Sequence, residues 1–155
     1  MADIVSPEKR SQMMAGIKSG NTSPELIVRK ALHKAGFRFR LHRKDLPGRP
    51  DIVLPKHRAV VFVNGCFWHG HDQCNLFRLP KSRSEFWEAK INGNKARDAR
   101  DILELESRGW KPIVVWECAV KGRGRVDGET LAVMLSEAIQ APLNSAVHVR
   151  GTEHR

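Results

Sequence analysis

Asp51–Cys74, DIVLPKHRAVVFVNGCFWHGHDQC, is the stretch that decides the architecture. Ile52, Val53 and Leu54 form an apolar run, Pro55-Lys56-His57 breaks it, and Ala59 to Val63 resume it without polar alternation. A strand apolar on both faces belongs inside a sheet, so the pattern predicts a hairpin whose second strand is central. The hairpin leads directly into Cys66, His69, His71 and Cys74, interleaved with Phe67 and Trp68.

Upstream, Leu46-Pro47-Gly48-Arg49-Pro50 reads as a turn, and Phe37, Phe39 and Leu41 alternate with Arg38, Arg40 and His42. That alternation predicts a strand with one face in the core and a basic face outward. Thr22 and Glu25 have capping-box spacing at a helix start, followed by an apolar stripe of Leu26, Ile27, Ala31, Leu32 and Ala35 and a stop at Gly36. Ser6-Pro7-Glu8 opens an earlier helix, around Glu8 to Lys18, whose Met13, Met14 and Ile17 give it little to bury. Such a helix is expected to rest on a partner.

Downstream, Ser82 and Glu85 repeat the capping spacing before Phe86 and Trp87, and Gly93 is expected to interrupt or bend the helix. Ala96, Ala99, Ile102, Leu103 and Leu105 continue its pattern to a stop at Gly109. Ile113 to Trp116 form a second fully apolar strand, which delivers Glu117 and Cys118 at its end. Asp127 caps a last amphipathic helix carrying Leu131, Met134, Leu135, Ala138 and Ile139. From Pro142 the pattern fades, predicting a loose tail. The fold expected is α/β, a mixed sheet flanked by helices on both faces.

The 155 residues suit one domain, here residues 1–141 with a flexible tail over 142–155. Lys and Arg total 27 against 17 acidic residues, a net charge of +10 spread along the chain. Such a distribution favours a polyanionic partner, because neutralising phosphates releases condensed counterions. No apolar run approaches the roughly 20 residues of a bilayer span, and MADIVSPEKR lacks a secretory core, so a cytoplasmic protein without membrane contact is expected. Three cysteines in a reducing compartment favour thiols or metal thiolates over disulfides.

Cys66, His71, Cys74 and Cys118 offer three thiolates and an imidazole, a closed tetrahedral set suited to structural zinc. His69 is the rival ligand to His71, and zinc is favoured over cysteines serving as small apolar core residues because each cysteine falls at a strand end or loop beside a His. Asp51 is a candidate magnesium ligand, against the commoner role of Asp after Pro in turn chemistry. The hairpin places the main-chain carbonyl at Val63 or Asn64 and the imidazole of His69 near it, where His69 can take a proton from water. Phe67, Trp68 and Trp87 suit either core packing or insertion into a base stack. Lys90 and Asn94, one helical turn apart, suit base-edge contacts or a solvated face.

LPGRPDIV, VVFVNGCFWHGHDQC, SEFWEAKINGNKARD and GWKPIVVWEC together closely resemble segments of the very-short-patch-repair (Vsr) mismatch endonucleases, over roughly Arg10 to Arg125. The resemblance implies a restriction-endonuclease-like fold and magnesium-dependent nicking 5′ to the thymine of a T:G mismatch, the product of 5-methylcytosine deamination. It implies that Asp51 and the Val63 carbonyl bind magnesium, that His69 acts on the attacking water, and that Glu25 supports the water and metal network. Cys66, His71, Cys74 and Cys118 match the structural zinc set. Phe67, Trp68 and Trp87 match aromatics that intercalate from the major groove, and Met14 a wedge from the first helix, residues 1–20, which would clasp DNA from the minor groove. Lys90 and Asn94 match residues that recognise the mispaired bases. The family pattern has Thr-His where this chain has Val63-Asn64. Asn64 does not titrate near neutral pH, so it retains only hydrogen bonding to phosphate or water. The loop between His71 and Cys74 is one residue longer than in that pattern. The expected partner is duplex DNA bearing a T:G mismatch, with mismatch-repair proteins as further candidates, and the expected state is a monomer that joins the nucleoid when bound to DNA. A nickase of the same fold with another mismatch or sequence preference, and a non-catalytic zinc-bearing DNA-binding module, are the alternatives.

Overall fold

The computed structural model describes residues 22–142 and 146–152. The helix expected over Glu8 to Lys18, Met14 included, lies outside the described residues. Helix α1 spans Ser23–Lys34, followed by β1 (Arg40–Leu41), β2 (Ile52–Leu54), a 3-10 turn at Pro55–His57 and β3 (Ala59–Asn64). Helix α2 (Ser84–Ser107), β4 (Lys111–Trp116), the short α3 (Glu117–Val120), α4 (Gly128–Gln140) and β5 (Val147–Val149) complete the order.

The five strands form one mixed sheet in sequence order. β1–β2 and β2–β3 pair antiparallel, whereas β3–β4 and β4–β5 pair parallel. β3 is interior, as its unalternating apolar run predicts, and β4 beside it is buried along its whole length. Alternate residues serve opposite faces. Ile52, Leu54, Ala59, Val61, Ile113 and Val115 pack on Val28 and Leu32 of α1 and Leu131 and Leu135 of α4. On the other face Val53 and Val60 meet Leu105 and Trp110, while Val114 and Trp116 pack with the cysteines and Ile102. The expected α/β sandwich therefore forms.

Five local expectations are corrected. The strand read from Phe37 to Leu41 shrinks to Arg40–Leu41, because Phe37 is buried beyond the end of the ladder. In α1 the buried face is Glu25, Val28, Ala31 and Leu32, and Leu26 and Ile27 are exposed. The start of α2 lies at Ser84 after Arg83 at φ 56°, with no side-chain cap, so Ser82 and Glu85 form no capping box. α2 also runs unbroken through Gly93. A glycine costs about 1 kcal/mol in a helix, too little to break one anchored by buried Ile91 and Leu105.

The fifth correction concerns the tail expected from Pro142. Val147–Val149 instead add a parallel edge strand, with Ile113, Val114 and Val115 facing Val147, His148 and Val149. The ladder to β4 compensates for weak local patterning. By contrast Asp127 caps α4 as expected, its Oδ1 accepting from Thr130 N at 2.7 Å. The far end of α4 is capped by an unforeseen group: Lys111, 3% exposed, donates from Nζ to the carbonyls of Ala138, Ile139 and Ala141. A cation there complements the negative end of the helix dipole.

Candidate functional site

Two clusters of metal-ligand side chains lie at the end of the hairpin. The first consists of Cys66, His71, Cys74 and Cys118, all buried, whose ligand atoms lie within 4.8 Å of one another. His71 Nδ1 is 3.5 Å from Cys66 Sγ and 3.6 Å from Cys118 Sγ. Its ring stacks on Trp116 at 3.9 Å with planes 3° apart, which fixes the nitrogen toward the thiols. The geometry brings together the four residues picked from the sequence and leaves His69 outside the set. A Cys66 contact pulls the Cys118 thiol down to about 6 against the effect of burial, and a donor from Gly151 assists. The Cys118 contact and burial push Cys66 upward instead. One thiolate beside two further thiols and an imidazole fits a closed zinc set, which needs sulfur and nitrogen donors and no open position.

The chain beyond β5 braces this cluster. Gly151 N donates to Cys118 Sγ at 3.2 Å, and Arg150 donates to the carbonyls of Asp72 and Gln73 in the ligand loop. A Cβ at Gly151 would collide with the Cys118 carbonyl and lie 2.8 Å from Gly124 O. Gly151→Ala is therefore expected to lower stability by about 2–3 kcal/mol, measured by denaturant unfolding, and to weaken metal retention. Cooperative unfolding at the parental midpoint would refute the brace.

The second cluster is Glu25, His42 and Asp51. Thr22 Oγ1 accepts from Glu25 N at 3.4 Å as the helix start requires. The Glu25 carboxylate, 1% exposed, reaches Arg29 and lies 2.9 Å from His42 Nε2. Asp51 Oδ2 accepts from Val63 N at 2.8 Å, tying the acid at the head of β2 to the end of β3. Burial pushes Asp51 up to about 7, opposed by the Val63 donor and reinforced by the neighbouring Glu25 charge. A buried carboxylate facing a half-buried one suits a hard divalent cation, which oxygen ligands hold while leaving it several waters.

A pH dependence follows for the metal-free protein. A carboxyl whose folded pKa is raised contributes stability that is fully present below its unfolded value of about 3.9 and lost as pH climbs through the folded value. Between about pH 4 and pH 7, metal-free wild type should lose stability relative to Asp51→Asn, which carries no charge, and the difference should level off above that. Thermal melts of both proteins in chelator check this; parallel pH profiles would contradict it.

His69 is a member of neither cluster; its Nδ1 lies 2.5 Å from Asp98 Oδ2 on α2. With Nδ1 so engaged, Nε2 is the nitrogen left to accept a proton. The sequence reading missed Asp98 and His42. The signal for Asp98 is the spacing of Ile91, Asn94, Lys95 and Asp98 along one face of α2, all of which meet the ligand loop. Asn94 Nδ2 donates to Trp68 O at 2.8 Å, Lys95 Nζ pairs with Asp72 at 3.1 Å, and Gly70, at φ 59°, lets Ile91 and Lys95 approach its backbone. Asn94 thus holds the loop, while Lys90 is exposed. Asn64 is buried and lines, with His69, Asp98, Ile102, Leu103 and Trp116, a cavity of about 580 Å³ between α2 and the sheet.

Phe67, Trp68 and Trp87 gather into one patch, with ring centroids 5.2 to 5.8 Å apart. Phe77 and Phe86 extend it. Trp68 and Phe86 are 38% and 47% exposed, so the patch is a surface with apolar rings on offer rather than closed core. Among the described residues no helix is long and apolar enough to cross a membrane.

Comparison with known proteins adds an independent line. The family model for the DNA mismatch endonuclease Vsr matches residues 2–76. The type II nicking enzyme V.XorIIP of Xanthomonas oryzae pv. oryzae is 52% identical over 127 residues, 82% of this chain and 93% of that protein. The DNA mismatch endonuclease Vsr of Escherichia coli is 43% identical over 139 residues, 90% of this chain and 88% of that one. The type II nicking enzyme V.NmeAIP of Neisseria meningitidis is 50% identical over 123 residues, covering 79% and 87%.

Proposed function

Because the chain belongs to the Vsr family of DNA mismatch endonucleases, and is accordingly a DNA endonuclease, we propose that it nicks one strand of duplex DNA 5′ to the thymine of a T:G mismatch in a magnesium-dependent reaction. The observation that carries this reading is the carboxylate pair of buried Glu25 and half-buried Asp51, tied through Val63 to the strand that leads into the His69 loop and the aromatic patch. In this reading Asp51 and the Val63 carbonyl hold magnesium, with Glu25 supporting its waters. Cys66, His71, Cys74 and Cys118 hold zinc and fix the loop between them. The fold is read as restriction-endonuclease-like, one domain in which β5 joins residues 1–141 and which works as a monomer, with residues 1–20 closing over DNA and Met14 as their wedge.

His69 Nε2 takes the proton of the attacking water while Asp98 holds the opposite ring nitrogen and stabilises the imidazolium that forms. Magnesium, when bound, stabilises the charge that develops on the phosphoryl and leaving oxygens. Asn64 positions phosphate or water by hydrogen bonding and moves no proton. Phe67, Trp68 and Trp87 insert beside the mispair, whose weak stacking makes the step cheaper to deform than a paired one. Lys90 and Asn94 contact the exposed bases, Asn94 after exchanging its bond to Trp68. Mismatch-repair proteins are further candidate partners at the nucleoid.

The test is an end-labelled duplex with a single T:G pair in varied flanking sequence, incubated with zinc-loaded protein and magnesium. Nicking of the thymine strand alone, at least about 100-fold faster than on the T:A control, is expected. Binding without nicking would favour a non-catalytic module, and preference for another mispair would reassign the substrate.

A further inference from the structure

His42 is the member of the second cluster to which the reading above gives no task. It follows β1 at φ 50°, a left-handed conformation, and its main-chain N donates to Asp51 O at 3.0 Å. That bend takes the side chain out of the exposed row of β1 and toward Glu25. Nε2 then lies 2.9 Å from Glu25 Oε2 and 3.4 Å from Arg29 Nη2. Arg29 donates to the same Glu25 oxygen, so two donors share one acceptor and the 3.4 Å approach follows from that sharing. A cation would take the place of the His42 proton there, where Glu25, His42 and Asp51 offer ligand atoms within 4.8 Å of one another. The separation suits one, because two ligands each about 2.1 Å from an octahedral ion and at right angles are about 3.0 Å apart.

We propose that His42 is a nitrogen ligand of the catalytic cation beside Asp51 and Glu25, and that it tilts the site from Mg2+ toward Mn2+. This rests on Asp51 being a ligand of that cation. Magnesium is hard and favours oxygen donors, and it gains little from an imidazole. Manganese(II), a transition ion with the same octahedral habit, gains more from a nitrogen donor. The mixed set of two carboxylates and one imidazole, with Arg29 outside it, therefore differs in preference from an all-oxygen site.

The experiment uses zinc-loaded, full-length protein and Mn2+ alone as the probe. Calorimetry should give a Mn2+ affinity at least about tenfold above that for Mg2+. His42→Gln should lose about tenfold in Mn2+ affinity while its Mg2+ affinity changes less than about threefold. Pulsed electron paramagnetic resonance of the Mn2+ complex should show nitrogen coupling in wild type and in His69→Gln, and none in His42→Gln. Absence of coupling in the Mn2+-bound wild type overturns the proposal without any variant, as does coupling lost only in His69→Gln. Asp51→Asn separates this from the wider reading. Should that variant bind Mn2+ like wild type, the assignment of Asp51 itself fails; should it lose Mn2+ while wild type shows no nitrogen coupling, only the role of His42 falls.

Discussion

Asp51→Asn should reduce nicking of a T:G duplex by about 10³-fold or more while leaving binding of that duplex within a few-fold of wild type. Asn keeps the shape and can still accept from Val63 N, which Asp51 Oδ2 contacts at 2.8 Å, so the hairpin register is preserved. What disappears is the negative charge. Metal-assisted charge stabilisation supplies several kcal/mol to a hydrolysis of this kind, and each 1.4 kcal/mol is about a factor of ten in rate. Loss of about 4 kcal/mol gives the stated effect. Binding is expected to draw instead on the net positive charge, which the substitution only raises from +10, and on the aromatic patch, which it leaves alone. Single-turnover nicking and a gel-shift titration measure the two separately. Nicking at the parental rate would show that the reaction centre lies elsewhere.

Cys74→Ser carries the second large effect, on stability. Cys74 is the most informative of the four clustered residues to replace, because Cys118 also receives the Gly151 donor, His71 also stacks on Trp116 and Cys66 also donates from its main chain to Glu117. A structural zinc site contributes on the order of 10 kcal/mol to folding, as much as the whole net stability of a typical domain. The variant should lose its stoichiometric metal by elemental analysis and melt at least about 10 °C lower. Chelator should do the same to wild type and leave Cys74→Ser unmoved. A variant that retains one metal per chain and the parental melting temperature would remove zinc from the account of this fold.

How much of this is legible in the chain depends on how far each signal travels. Two of the three interior strands are readable because Ala59–Val63 and Ile113–Trp116 are apolar at consecutive positions, a pattern that only burial on both faces rewards. The thiol cluster is readable too, since Cys66 and Cys118 follow the ends of the two strands and Cys74 lies close to His71, a grouping that cysteines filling a core do not require. His42 is not: period-two alternation assigns it to the outward row, and its positive φ, which reverses that assignment, leaves no mark on the residue type. Asp98 is hidden for a different reason. Its partnership with His69 requires α2 to continue through Gly93, and local propensity argues for a break where anchored packing sustains the helix. β5 is too short for periodicity to register, and it exists because β4 offers it a ladder.

That last strand has a consequence for how the protein can be made and shortened. β4 carries four consecutive apolar residues, Ile113 to Trp116, and among the described residues β5 is the strand that covers its outer edge. A nascent chain presents β4 before β5 has been synthesised, and a chain terminated before Val147 never supplies it. Either leaves a bare Val-rich edge, which is a template for pairing with another molecule. Premature stops in the final codons would thus be expected to yield insoluble material rather than a trimmed enzyme, although no residue proposed for chemistry or base contact would have been removed.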